Sequence, residues 1–419
     1  MLKKEILSNG IRLVGEELPN YNSVSIGIWV SCGSIRENEE NNGISHFIEH
    51  LLFKGTRNRE AREIVGEIEA VGGSIDGFTG REFSGFWVKI PSSYMELAID
   101  VLSDILLHPR FDQHAIEKEK EVVVEEIKGS RDSPQEFLSD AFTRSFWEDS
   151  PLGFPILGEE RNICSFTREE IVATYRQNYF SQPFIISLAG DFKFTEAKKL
   201  ILHYFRVIPW SRTNHLPTPP SPRKKILFFP RSLEQVHFIW GSRGVSQRSP
   251  LRFAFLVMEN ILGGGMSSRL FQKVREEKGL VYEVFSFHIS TLQAGILAIY
   301  GGARGERIKE ALSLIMEEVI NLREHGVRED EVERSKEFIK GNLVLGLEST
   351  QSRMSRLANN EFYYSRLFEL DEVLGMIDKV KKKDVDNIAR LLIRDEFLNI
   401  AFLGREELRE SLREEKWRL

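Results

Sequence analysis

The run from Pro209 to Pro222 places five prolines, at 209, 217, 219, 220 and 222, in a stretch with little apolar content. Proline fixes φ and removes a backbone donor, so such a run cannot be the interior of a helix or a central strand and predicts a semi-rigid linker over 209–222. A chain of 419 residues exceeds the size at which one core keeps growing, and domains of about 200 residues are expected. The linker supplies that division, giving domains at 1–208 and 223–419. Before it, alternating segments at 11–17, 23–30, 74–79, 82–90 and 184–190 predict strands. Helices are expected near 44–53, 59–71, 94–107, 112–129, 134–147 and 167–178. Beyond it, strands near 225–229, 235–241, 280–289, 294–301 and 397–403 accompany helices near 250–262, 267–277, 305–324, 328–347 and 350–364. Two parts of similar size with the same grammar predict an α+β fold made of two homologous α/β-sandwich domains. The charged, mixed-sign end, Arg405–Leu419, is expected to be solvated.

Charge and cysteine usage narrow the function. The net charge of −6 argues against nucleic acid as the main partner. Residues 1–210 carry 23 Lys+Arg against 33 Asp+Glu, and residues 211–419 carry 34 against 30. An acidic first half and a basic second half suit the meeting of unlike halves of two copies, or plain solvated surface. Cys32 and Cys164 form no CxxC pair, which speaks against thiolate zinc ligation and a disulfide framework. The start, Met1 to Gly10, lacks a signal-peptide apolar core, and no apolar run approaches membrane-spanning length. A cytoplasmic protein is expected.

The chemistry is concentrated in His46-Phe47-Ile48-Glu49-His50. On a helix, residues four apart stack on one face, so both imidazoles can reach one ion. Glu49 is turned about 100° from His50 yet lies one turn from His46, where a carboxylate can address a water on the metal. With 9 His and 63 acidic residues among 419, about 0.03 chance occurrences of this pattern are expected. Ser45 is the expected N-cap and Gly55 the stop.

A catalytic zinc site needs a third protein ligand. The run Glu117 to Ile127 offers Glu119 and Glu126, seven apart and so on one helical face, with Val122 and Val123 suggesting that the face is buried. His108, His114, His203, His215, His288 and His325 lack a partner at metal spacing, and His237 reads as structural.

Together, His46–His50 and the Glu119–Glu126 segment 76 residues beyond His50 resemble the M16 (pitrilysin-type) inverzincin metallopeptidases, above all their shorter two-domain, processing-peptidase-like members. The resemblance implies one Zn2+ per chain on His46, His50 and Glu126, with Glu49 as general base and Glu119 orienting the site. The first domain would then be the zinc-binding catalytic one. Gly72-Gly73-Ser74-Ile75-Asp76-Gly77-Phe78-Thr79 resembles the family's strand edge for extended substrate, which implies peptide contacts at Gly73, Ser74, Asp76, Gly77, Phe78 and Thr79. The chain departs from that pattern with Asp76 for the usual Asn, Gly77 for Ala and Phe86 where Tyr is common. Leu262–Phe271 and Arg275–Tyr282 also match the family, and Arg275 and Tyr282 look like its Arg/Tyr pair for substrate and the tetrahedral oxyanion. The resemblance further implies one half of a clamshell, a homodimer, and unfolded peptides as substrates. A non-catalytic core subunit of the same fold and one subunit of a heterodimeric processing peptidase are the alternatives.

Overall fold

The computed structural model of the chain describes residues 2–148, 150–208, 210, 221–413 and 417–418. Residues 209 and 211–220 of the expected linker 209–222, His215 among them, lie outside the described residues. The chain forms two compact units: Met1–Gly129, Phe154–Pro217 and Leu345–Glu369 make the first, and Ser130–Gly153, Thr218–Val344 and Leu370–Leu419 the second. One boundary between the units falls inside the expected linker 209–222, but the units are not contiguous: residues 130–153 of the first part and 345–369 of the second each belong to the other's unit.

In the first unit six strands, β1 (Leu2–Ile6), β2 (Arg12–Glu17), β3 (Ser23–Val30), β4 (Ser74–Thr79), β5 (Ser84–Pro91) and β6 (Ile185–Gly190), form one sheet in the order β1-β2-β6-β3-β5-β4. Only β2 and β6 run parallel; the other pairs are antiparallel. The composition of β3 explains the helix exchange. Val24, Ile26, Ile28 and Val30 belong to the main core, which also holds Phe47, Ile48 and Leu51 of the motif helix. Trp29 points the other way, and with Val14, Ile185 and Ala189 forms a second apolar face. A sheet apolar on both faces needs two covers. The helix Thr350–Tyr364 supplies the second through Met354, Leu357 and Ala358, all buried. Its register is held by Ser187 Oγ donating to the Met354 carbonyl (2.6 Å) and by the Ser25 and Thr350 hydroxyls (2.8 Å). Buried Glu361 is paired with Lys4 (2.7 Å) and Arg12 (3.4 Å).

The second unit has five strands, β7 (Lys225–Pro230), β8 (Gln235–Arg243), β9 (Val281–Ser290), β10 (Gly295–Arg304) and β11 (Asn399–Gly404), in the order β7-β11-β8-β10-β9. Here β7 and β11 are the parallel pair. Its core joins Phe238, Trp240, Leu297, Ile299, Ile400 and Phe402 to the helices Arg252–Gly263, Ile308–His325 and Lys382–Leu392. The other face receives the helix Pro134–Phe146. Phe142 fills the space over Gly241, where a Cβ would fall 2.3 Å from its ring, and Phe137 meets Phe229 at 5.4 Å. With β1 set aside, the two sheets have one topology: β2, β6, β3, β5 and β4 correspond to β7, β11, β8, β10 and β9. The expected repeat of one α+β unit is therefore visible in the strand order.

Several elements differ from the sequence reading. The short edge strand β1 and the helices Phe194–Tyr204, Leu370–Asp378 and Lys382–Leu392 were not expected. The C-terminal segment is not merely solvated: Leu412 and Trp417 are buried in the second core, and Trp417 Nε1 donates to the Leu412 carbonyl (2.9 Å). No helix among the described residues is long and apolar enough to cross a membrane.

Since Met354 is fully buried in the cover of the first sheet, Met354→Ala should lower the unfolding free energy by about 2–4 kcal/mol. Urea titration of the purified chain checks this, and an unchanged midpoint would show that the sheet does not depend on that cover.

Candidate metal centre and active site

The motif helix, Ile44–Leu52, is fastened by its apolar residues: Ile44, Phe47, Ile48, Leu51 and Leu52 are buried. Its N-terminus is capped from a distance. Glu37 accepts the Gly43 amide and Asn42 Nδ2 on one oxygen (2.9 and 2.8 Å) and the Ser45 amide on the other (2.9 Å). The expected cap, Ser45, instead lies inside the helix, and Gly43 is the cap residue with φ 99°. A carboxylate here satisfies free amides and complements the positive end of the helix dipole. Burial pushes the Glu37 carboxyl above its ordinary range, a cost that these donors oppose. Gly55, at φ 119°, ends the segment as expected.

His46 and His50 project from one face with their Nε2 atoms 3.2 Å apart. Glu126, on the helix Gln113–Asp132, places Oε2 3.8 Å from His46 Nε2 and 3.5 Å from His50 Nε2. Zinc–nitrogen bonds of about 2.0–2.1 Å set a tetrahedral ligand–ligand edge near 3.4 Å. The three edges of this triangle, 3.2, 3.5 and 3.8 Å, bracket that spacing. No other group of three potential ligands is found among the described residues.

Protonation in the site also suits a cation. Burial and the neighbouring His50 push His46 down to about 3, so its imidazole is neutral at pH 7. His50 Nδ1 faces Glu119 Oε1 at 2.8 Å. A carboxylate there fixes the proton on Nδ1 and leaves the Nε2 lone pair facing Glu126 and His46. Burial alone would lower His50, but the hydrogen bond to Glu119 and the charges of Glu49, Glu119 and Glu126 outweigh it and raise its pKa. Glu119 in turn is held by Lys54 at 2.8 Å. Burial would raise its carboxyl, yet the bonds from His50 and Lys54 keep it below the usual range.

The helix face carrying the two glutamates is only partly buried. Glu119 and Val123 are enclosed, whereas Val122 is 45% exposed and the Glu126 side chain 44% exposed. The expectation that Val122 shares a buried face is corrected: it lies 100° from Val123, on the solvent side of the arc.

Glu49 sits against the edge strand β4. Its Oε2 accepts the Thr79 hydroxyl at 2.5 Å, and burial lifts the carboxyl to about 6. Gly77 lies below it, and a Cβ there would come 3.0 Å from Phe53, 3.2 Å from Phe86 and 3.3 Å from Glu49 Cγ. The glycine thus leaves slack beside the carboxylate. Ser74, Asp76, Gly77, Phe78 and Thr79 all belong to β4, which pairs only with β5 among the described residues. Gly73 precedes it, its amide bonded to the Ile68 carbonyl (2.9 Å). Asp76 Oδ1 accepts the Gly77 amide (2.8 Å).

Arg275 and Tyr282 belong to the second unit. Arg275 lies on the π-helical turn Phe271–Glu277, 41% exposed, with its guanidinium 4.7 Å over the Phe271 ring. Tyr282 is 77% exposed at a bulge where the register shifts, Gly302 pairing with Glu283 and Ala303 with Val281. Bulges and π-turns re-aim side chains and recur at functional sites. His237, read as structural, bonds Tyr300 through Nδ1 (2.7 Å).

Lys54 and Glu37 were missed in the sequence. Lys54 lies just past the end of the motif helix, beyond its C-cap Phe53, so helical spacing does not single it out. Nothing in the spacing of Glu37 announces a cap six residues before Gly43.

Residues 12–160 match the family model described as insulinase (peptidase family M16), and residues 165–339 match the model described as peptidase M16 inactive domain. The chain belongs to peptidase family M16. It is 36% identical to an uncharacterized zinc protease of Bacillus subtilis, YmxG, over 95% of this chain and 97% of that protein. It is 32% identical to an uncharacterized zinc protease of Streptomyces coelicolor, over 93% and 86% of the two chains. Among solved structures, a protease from Helicobacter pylori shares the fold with a TM-score of 0.88 at 20% identity, covering 96% of this chain and 99% of that one. A chain of complex III from Candida albicans shares it with a TM-score of 0.82 at 18% identity, covering 96% and 95%.

Zinc content measured by metal analysis should fall on replacing His46, His50 or Glu126 with Ala, while Glu125→Ala, at an exposed neighbour, leaves it unchanged. Equal loss from Glu125→Ala would exclude this triangle. Glu119→Gln should weaken zinc binding by about 10- to 100-fold in a competition titration with a chromophoric chelator.

Proposed function

We propose that the chain is a zinc-dependent endopeptidase, a reading carried by one observation: His46, His50 and Glu126 converge while Glu49 stands beside them, held on β4. His46, His50 and Glu126 would hold one zinc ion, and the neutral His46 imidazole and the orientation of His50 by Glu119 suit that role. When bound, zinc supplies Lewis-acid polarisation of a carbonyl and a more acidic water. Glu49 Oε2 is engaged by Thr79, which leaves Oε1 to take the water proton and pass it to the leaving amine. A carboxyl raised by burial to about 6 is better matched to proton transfer near neutrality than an ordinary glutamate.

The β4 edge can take a peptide as an added strand. Strand addition requires an extended backbone, which unfolded peptides present and folded proteins do not. By resemblance to the family, Arg275 and Tyr282 of one copy would stabilise the oxyanion at the zinc of a second, in a homodimer enclosing a chamber. The exposure of Tyr282 and its placement on a bulge favour a role outside its own core. The second reading, a non-catalytic core subunit, draws on the occurrence of this fold in a chain of complex III.

Three outcomes test these readings. Purified protein should cleave unstructured peptides, with loss on chelation and recovery on zinc addition; no cleavage by zinc-loaded protein favours the non-catalytic reading. Glu49→Gln should keep zinc and lose activity by at least about 100-fold, and full activity would exclude Glu49 as base. Mixing Glu49→Gln with Tyr282→Phe chains should restore activity above either variant when subunits exchange, and no recovery counts against pairing between copies.

A further inference from the structure

We infer that Thr79 is a positioning residue for Glu49, and that it couples the aim of that carboxylate to occupation of the β4 edge by a peptide. The inference rests on the reading of Glu49 as the proton acceptor.

Strand alternation places Thr79 at a junction. The Gly80 amide donates to the Phe83 carbonyl across the hairpin (2.9 Å), whereas the Gly73 amide goes to Ile68 and the Gly77 amide to Asp76 Oδ1. In an antiparallel pair such alternation turns the backbone groups of Asp76 and Phe78 toward β5 and those of Ile75, Gly77 and Thr79 outward. The outward groups are the ones an added strand would bond. The same odd-numbered residues direct their side chains to the motif helix: Ile75 packs on the core, a Cβ on Gly77 would touch Glu49, and the Thr79 hydroxyl reaches Glu49 Oε2. Thr79 therefore presents its backbone to the incoming peptide and its hydroxyl to the carboxylate.

The direction of that hydroxyl is also determined. Ser84 Oγ lies 3.4 Å from Thr79 Oγ1 and donates its own proton to the Cys32 carbonyl at 2.8 Å. The Thr79 proton is left for Glu49, and it fixes which oxygen remains free. Without it the carboxylate would turn about its last torsion, which is broad and two-fold for glutamate. A peptide paired along β4 would restrain Thr79 and so sharpen the aim of Oε1.

The second unit shows the same contact without the ligands. Ser286 on β9, the counterpart of β4, donates to Glu259 on the helix Arg252–Gly263 (2.8 Å to Oε1, 2.9 Å to the carbonyl). There the hydroxyl pins a buried helix, so the test must separate pinning from aiming.

The experiment compares wild-type chain with Thr79→Val and Thr79→Ser. It measures zinc affinity by chelator competition, the thermal midpoint, and kcat and KM for a long peptide spanning the edge and a short one confined to the scissile bond. Thr79→Val should keep wild-type zinc affinity and KM and lose about 10- to 100-fold in kcat on the long peptide. Thr79→Ser should restore kcat. The kcat advantage of the long over the short peptide should shrink in Thr79→Val and return in Thr79→Ser. Unchanged kcat in Thr79→Val, failure of Ser to rescue, or loss of zinc affinity or thermal stability that accounts for the lost activity would overturn the inference. If Glu49→Gln is fully active, the reading of Glu49 falls first, a result distinct from any Thr79 outcome.

Discussion

Two imidazole nitrogens and a carboxylate oxygen face one another across 3.2–3.8 Å, and the arrangement depends on what can sit between them. Lone pairs brought together away from water repel and lose hydration unless a cation answers them. The surrounding structure holds them there from three sides. Glu37 caps the motif helix, Lys54 and Glu119 orient His50, and the apolar face Ile44, Phe47, Ile48 and Leu51 anchors the helix to the sheet. These interactions fix where the three ligand atoms sit without relieving their mutual repulsion, a cost that a divalent ion held there would offset.

Much of this was legible because it is local. The i and i+4 spacing of His46 and His50 requires only a helix, and Glu49 follows from the same geometry. The choice between Glu119 and Glu126 was not legible from spacing, since both lie on one face. The structure separates them by depth: Glu119 is enclosed and meets Nδ1 of His50, while half-exposed Glu126 reaches Nε2. The Glu37 cap and the Thr79 contact come from backbone turns and strand pairing that no periodic pattern encodes.

The fold shows the same division. Strands such as β3 and β5 stand out by alternation, while β1, with Lys3, Lys4 and Glu5 on an exposed edge, carries little apolar signal. The helix Lys382–Leu392 is amphipathic but opens with Lys-Lys-Asp, which masks its apolar side. The exchange of helical segments between units could not be read at all. It follows from long-range packing of a doubly apolar sheet: one boundary between the units does fall in the proline-rich run, but the exchanged segments lie elsewhere in the chain. The repeat, by contrast, shows how one scaffold carries two fates: the helix bearing His46 and His50 has a counterpart, Arg252–Gly263, whose buried Glu259 is committed to Ser286.

The helix exchange also bears on the birth of the protein. While the ribosome is still making the chain, the first sheet is complete by Gly190, but Val14, Trp29, Ile185 and Ala189 remain bare until the segment around Met354 emerges. Roughly 160 further residues must be translated before that face is shielded, which at about 5–20 residues per second takes on the order of ten seconds or more. Through that interval the apolar plane lacks its own cover, and a fragment that stops short of Thr350 would leave it bare.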